Sequence, residues 1–141
     1  MSQYGVEIGD YLSSTVVPQG YTDRLNSKNN ISFTSVPSVA WGDGTNKLQK
    51  IITQKWIANY PMGIEAWCDY RRTGYPELFT ARDNLSSAGY IGDIDSKRMV
   101  RRLPYPTTEK SSNSANVEAA IATMLGGPDT GSTDLWWAKK N

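Results

Sequence analysis

The run Lys47-Leu48-Gln49-Lys50-Ile51-Ile52-Thr53-Gln54-Lys55-Trp56-Ile57-Ala58, continued after Pro61 by Gly63-Ile64-Glu65-Ala66-Trp67-Cys68-Asp69-Tyr70-Arg71-Arg72-Thr73-Gly74-Tyr75-Pro76, decides the fold. Leu48, Ile51, Ile52, Lys55, Trp56 and Asn59 fall on one helical stripe, with Lys47, Gln49, Lys50, Thr53 and Gln54 largely opposite, the pattern of an amphipathic helix. Pro61 and Gly63 interrupt it, and a second helix runs over 64–72. Gly74 takes the position that suits a left-handed backbone, Pro76 prevents resumption, and Arg71 and Arg72 set positive charge against the last-turn carbonyls. Helices joined by so short a turn lie antiparallel. The spacing therefore predicts a helical hairpin over 47–73, with Trp56 and Trp67 drawn into a shared core seam.

Upstream, Tyr4, Ile8, Tyr11 and Leu12 recur at i, i+4, i+7 and i+8 and predict a short helix, weakened by Gly5 and Gly9. Residues 13–45 are rich in Ser, Thr, Asn, Gly and Pro without a sustained period, so 1–46 reads as a short helix and a long ordered loop. Residues 74–112 read as extended loops. Within them Leu103-Pro104-Tyr105-Pro106 is extended, because each Pro pushes its predecessor out of the α region. From Asn113 or Ser114 as N-cap, Val117, Ala120, Ile121, Met124 and Leu125 trace a third helix that Gly126-Gly127-Pro128 ends. Residues 113–141 thus hold a helix and a Trp-rich tail. The expected class is mainly α, a helical hairpin plus a third helix with long irregular loops, in a single domain over 1–141.

Composition narrows function. With 141 residues the chain supports one modest core. Its 15 Lys+Arg against 14 Asp+Glu leave a charge of +1 and remove any general attraction to nucleic acid. The absence of His and the single Cys exclude a Ser-His-Asp or Cys-His nucleophile, a His-ligated metal, a zinc knuckle and an internal disulfide. No metal, cofactor or nucleic-acid partner is expected. No segment approaches the ~20 apolar residues of a membrane helix, and the N-terminus lacks the charged and apolar regions of a signal peptide, so the chain as written reads as soluble.

Paired carboxylates are the catalytic apparatus still allowed, with Asp43, Glu65, Asp69, Glu77, Asp93, Asp95 and Glu109 as candidates. Nothing in their spacing singles out a pair. Asp93-Ile94-Asp95 lacks the Gly and Glu of a calcium loop, whose places hold Arg98 and Pro104. The basic residues Lys97, Arg98, Arg101 and Arg102 read as a solvated, locally paired strand, and Cys68 as a small buried hydrophobe. Five Trp and eight Tyr against two Phe favour rings with a polar edge, and such rings stack on the apolar face of a pyranose while amides and charges bind its hydroxyls. Their loop placement makes Trp41, Tyr75 and Tyr90 the candidate glycan contacts. Cover for a core edge is the alternative for each.

Three runs in order resemble a known family. Gln54-Lys55-Trp56-Ile57-Ala58 leading into Glu65 through Pro76, then Arg102-Leu103-Pro104-Tyr105-Pro106 with Glu109 and Asn113, then Leu125-Gly126-Gly127-Pro128-Asp129 with Leu135-Trp136-Trp137, are similar to the C-terminal part of SusD/RagB-type nutrient-binding proteins. The resemblance implies TPR-like helix pairs and a non-enzymatic glycan- or nutrient-binding lipoprotein. It places the full-length parent on the extracellular face of the cell outer membrane, with a TonB-dependent, SusC-like transporter as partner. It also implies that this chain is a C-terminal fragment, whose uncovered apolar surface would favour a homodimer. The aromatic arc of starch-binding members lies mostly upstream, so the resemblance carries no sugar-contacting residue onto this chain. The alternatives are a helical-hairpin interaction scaffold that touches no sugar and, further off, a carboxylate-dependent glycoside hydrolase.

Overall fold

A computed structural model describes residues 5–33, 35–79 and 99–138. Tyr90, Asp93, Asp95, Lys97 and Arg98 lie outside those residues. The hairpin is present. Helix α1 spans Lys47–Ala58, opened by Asn46, whose side chain accepts from the Gln49 N–H at 3.2 Å. Helix α2 spans Gly63–Thr73 and stops where Gly74, at φ 79°, turns left-handed and donates its N–H to Tyr70 O at 2.7 Å. Only glycine holds that conformation freely. Gly74→Ala should therefore cost about 1–2 kcal/mol, read as a lowered Tm; an unchanged Tm would show that the stop lies elsewhere.

The chain divides into two compact units, Met1–Phe79 and Thr80–Asn141. In the first, Tyr4 lies outside the described residues, and from Gly5 onward the expected short helix is reduced to a 3-10 turn at Tyr11–Ser13, because Gly5 and Gly9 take positive φ (66° and 57°) and break the helical path. The long loop is ordered by its own polar side chains. Asp23 accepts from the N–H groups of Leu25 and Asn26 and from Asn29 Nδ2, bracing a second 3-10 turn at Ser27–Asn29. The antiparallel bridge Tyr21–Ile31 closes this excursion, and no strand occurs among the described residues.

α1 departs in part from its expected faces, Ile52 lying inward as expected but joined there by Gln49 and Lys50. Gln49, Lys50 and Ile52 are buried, whereas Leu48, Ile51, Trp56 and Ile57 are exposed. The cause is the neighbouring loop, whose backbone carbonyls find no ladder and need donors. Gln49 Nε2 reaches Ser35 O at 3.1 Å, and Lys50 Nζ donates to Ala40 O. Trp56, expected in the core seam, is 42% exposed. The two helices are tied by Lys55 and Asp69, 2.6 Å apart, with Arg72 on the other carboxylate oxygen at 2.9 Å. The Arg71 guanidinium lies 3.7 Å from the centre of the half-buried Trp67 ring.

In the second unit, α3 (Thr107–Ser112) occupies sequence read as loop, and α4 (Ser114–Ala120) continues as a π turn through Ile121–Leu125 to a left-handed Gly126. Arg101 and Arg102 are not the solvated pair expected from their charge: both are buried. Arg101 Nε meets Asp134 at 2.8 Å, and Arg102 Nη1 meets Asp129, whose second oxygen takes Lys110 Nζ at 2.7 Å. The Tyr105 N–H also donates to Asp129, at 3.1 Å. The extended strap is thereby pinned to the segment after α4.

Candidate functional site

Trp41 stands on the turn Ala40-Trp41-Gly42-Asp43-Gly44, which is held from both sides. Ala40 and Trp41 donate their N–H groups to Ser14 O and Leu12 O at 2.9 and 3.1 Å. Asp43 gathers the rest of the turn, accepting from Ser38 Oγ at 2.6 Å, from the Thr45 N–H at 3.0 Å, from Thr45 Oγ1 at 2.6 Å and from Lys50 Nζ at 2.7 Å. Lys50 above all, then Ser38 and Thr45, holds the Asp43 carboxyl far below the usual carboxylate range. This anchors a ring that is itself 45% exposed, with Lys47 Nζ 5.1 Å from its centre.

Beside the ring lies a cavity of about 440 Å³, walled by Trp41, Leu12, Pro18, Pro37, Ile51 and Ile57. Its polar contribution includes the Tyr11 hydroxyl, which donates to Gln54 Oε1 at 3.1 Å. An apolar hollow with an aromatic plane and a few fixed polar groups suits non-covalent binding of a ligand with one flat apolar face.

Of the three expected contacts, the structure brings two to the start of α1. Trp41 meets Lys47, and the half-buried Tyr75 accepts from Asn46 Nδ2 at 2.7 Å through its hydroxyl. Tyr75 thus clasps the helix start with its polar edge, while Trp41 presents its ring. Tyr90 falls outside the described residues. Two features escaped sequence reading. Lys50 falls on the polar side of the helical pattern, yet it carries the charge that fixes the Trp41 turn. Phe33 and Phe79 stack at 5.1 Å, with Tyr21 6.2 Å from Phe79, an aromatic group assembled from residues too far apart in sequence to show a period.

Three of the candidate carboxylates are engaged in structure-holding contacts. Asp43 is the turn hub, Glu77 accepts from the N–H and hydroxyl of Ser35, and Asp69 joins α1 to α2. Lys55, then Arg72, keep Asp69 ionised below its ordinary range, the opposite of what a general acid at neutral pH requires. Among the described residues no three His, Cys, Asp or Glu side chains gather as a metal set. Nor is any helix there long and apolar enough to cross a membrane.

The family model described as SusD-like, SusD and RagB outer membrane lipoprotein, matches residues 1–138. Among solved structures, the chain is 41% identical to a chitin-binding SusD homologue from Flavobacterium johnsoniae, with a TM-score of 0.80 over 99% of this chain and 29% of that one. It is 44% identical to a SusD homologue from Bacteroides uniformis ATCC 8492, with a TM-score of 0.81 over 99% and 29%. A homologue from Bacteroides vulgatus ATCC 8482 is 36% identical, with a TM-score of 0.82 over 99% and 28%. The chain therefore spans less than a third of the length of these relatives. No curated protein matches it.

Proposed function

We propose, from the premise that the chain belongs to the SusD and RagB family of outer membrane lipoproteins, that it serves as part of a non-enzymatic glycan-binding component of a TonB-dependent uptake system. A SusC-like outer-membrane transporter is its partner in this reading. The observation that carries the proposal is Trp41: a half-exposed indole, fixed by the Asp43 hub at the edge of an apolar cavity. A pyranose ring stacks on such a face, and Tyr11 and Gln54 supply hydroxyl partners. Tyr75 and Tyr90 complete the set of proposed contacts, Tyr75 chiefly by holding the start of α1. The chitin-binding description of the Flavobacterium johnsoniae homologue makes chitooligosaccharides the first glycans to try.

Titration with chitooligosaccharides, then maltooligosaccharides, should give a saturable change in tryptophan fluorescence that Trp41→Ala abolishes and Tyr75→Phe, which removes the hydroxyl that holds Asn46, weakens. Silence with every glycan would overturn the reading. The second reading, a scaffold that docks a transporter without touching sugar, is favoured by the exposed apolar side chains of α1. A pull-down that retains a SusC-like transporter from a protein showing no glycan response would decide for it.

A further inference from the structure

Asp43-Gly44 is the one Asp-Gly pair in the chain, and no Asn-Gly pair occurs in it. An aspartyl carboxyl and the backbone nitrogen of the next residue can close a five-membered ring, and a side chain on that next residue is the usual steric obstacle. Glycine removes it. The surroundings of this pair offer no other obstacle: a Cβ built at Gly42 or Gly44 would meet nothing within 4 Å, and Gly44 takes φ 77°. Asp43 thus sits between two glycines in open space, where solvent water reaches the backbone.

What opposes ring closure is the set of donors on the carboxylate. Oδ2 accepts from Lys50 Nζ at 2.7 Å and from Ser38 Oγ at 2.6 Å, while Oδ1 accepts from the Thr45 N–H at 3.0 Å and from Thr45 Oγ1 at 2.6 Å. These bonds tie the carboxyl to Ser38, to Thr45 and to α1, so it is not free to swing onto Gly44 N. Lys50 above all also keeps it ionised, and a carboxylate is a poor acceptor for a nitrogen nucleophile, because it has no hydroxyl to lose as water.

We propose that Asp43-Gly44 is a site of isoaspartate formation, restrained in the folded chain by the donors on Lys50, Ser38 and Thr45. In the first step Gly44 N bonds to Asp43 Cγ, the Cγ–OH bond breaks, and the hydroxyl leaves with the Gly44 amide proton as water, giving a succinimide. In the second, water adds to the Asp43 main-chain carbonyl carbon and the bond from that carbon to Gly44 N breaks. The nitrogen stays on Cγ and takes back a proton. One water is lost and one regained, no electrons are transferred, and the main chain becomes one carbon longer. The side-chain carboxyl is consumed in the new backbone, so Lys50, Ser38 and Thr45 lose their common acceptor and the Trp41 turn loses its tie to α1. The proposal does not depend on sugar binding.

The test incubates the chain at neutral pH and physiological temperature and scores isoaspartate by peptide mapping with fragmentation that separates the two isomers. Isoaspartate should collect at residue 43 before any other aspartate. Lys50→Ala should raise its rate about tenfold, the gain in neutral carboxyl for a one-unit recovery of the pKa, and acrylamide quenching of Trp41 should rise in step with the converted fraction. Gly74→Ala, which weakens the same unit without touching these donors, should leave the rate unchanged and so separates lost restraint from lost folding. Should Lys50→Ala not fold, Ser38→Ala reads the same restraint through a smaller rise. A rate in the donor variant equal to that of the parent, an equal rise in Gly74→Ala, or earlier conversion at another aspartate would overturn the proposal.

Discussion

Asp129→Asn should destabilise the C-terminal unit by about 3–5 kcal/mol, the loss expected when one partner of a buried ion pair is removed and the other stays behind. Asp129 and Arg102 have side chains only 7% and 6% exposed, so the orphaned guanidinium cannot recover water without opening the strap. The same carboxylate serves Lys110 and the Tyr105 N–H, so one substitution loosens the strap, α3 and the segment after α4 together. Urea unfolding with a probe in 99–138 would measure it. A loss below about 1 kcal/mol would show that these charges behave as an exposed pair.

Acid supplies an independent arm. Burial pushes the Asp129 carboxyl up, but Lys110, Arg102 and the Tyr105 N–H outweigh burial and leave it below the ordinary 3.8. A carboxyl lowered on folding stabilises fully above its unfolded value, and that stabilisation drains away as the pH falls through the folded one. Asp43 and Asp69 are lowered in the same direction. Stability should therefore hold from neutral pH to about 5 and decline below about 4. Asp129→Asn should flatten part of that decline.

The second large effect is expected at Lys50. Lys50→Ala removes a charge-assisted hydrogen bond to Asp43 and a donor to Ala40 O, leaving a carboxylate that is one-quarter exposed and so partly rehydrated. A cost of about 1.5–3 kcal/mol follows. The functional consequence is larger than the energy, because Asp43 then holds its turn through Ser38 and Thr45 alone. Trp41 should become more accessible to acrylamide, a gain seen as the difference between Lys50→Ala and Lys50→Ala/Trp41→Phe. An unchanged quenching profile would mean that the turn is fixed by Leu12 O and Ser14 O without the charge.

The hairpin was legible because its signals are local. Pro61, Gly74 and Pro76 mark ends that any helix would need, whatever it packs against. Which face of α1 turns inward was not legible, since that depends on loop 35–43, whose unpaired carbonyls make Gln49 and Lys50 better inward residues than Leu48. α3 escaped because Thr107-Thr108-Glu109-Lys110-Ser111-Ser112 contains no apolar residue and hence no period. The burial of Arg101 and Arg102 depends on Asp134 and Asp129, more than twenty-five residues away. At the candidate site, Trp41 was readable as an aromatic on a Gly-flanked turn. Its cavity was not, because the walls come from three separated segments, near residues 8–18, 37–41 and 50–57.

Trp41 bears most of the functional weight, and its indole N–H is a resolved probe in a nitrogen-15 correlation spectrum. During titration with a chitooligosaccharide, that signal, assigned by its disappearance in Trp41→Phe, should move progressively to saturation. An immobile Trp41 signal at saturating sugar, with or without movement at Trp56, Trp67, Trp136 or Trp137, would contradict the assignment of this turn as the sugar platform.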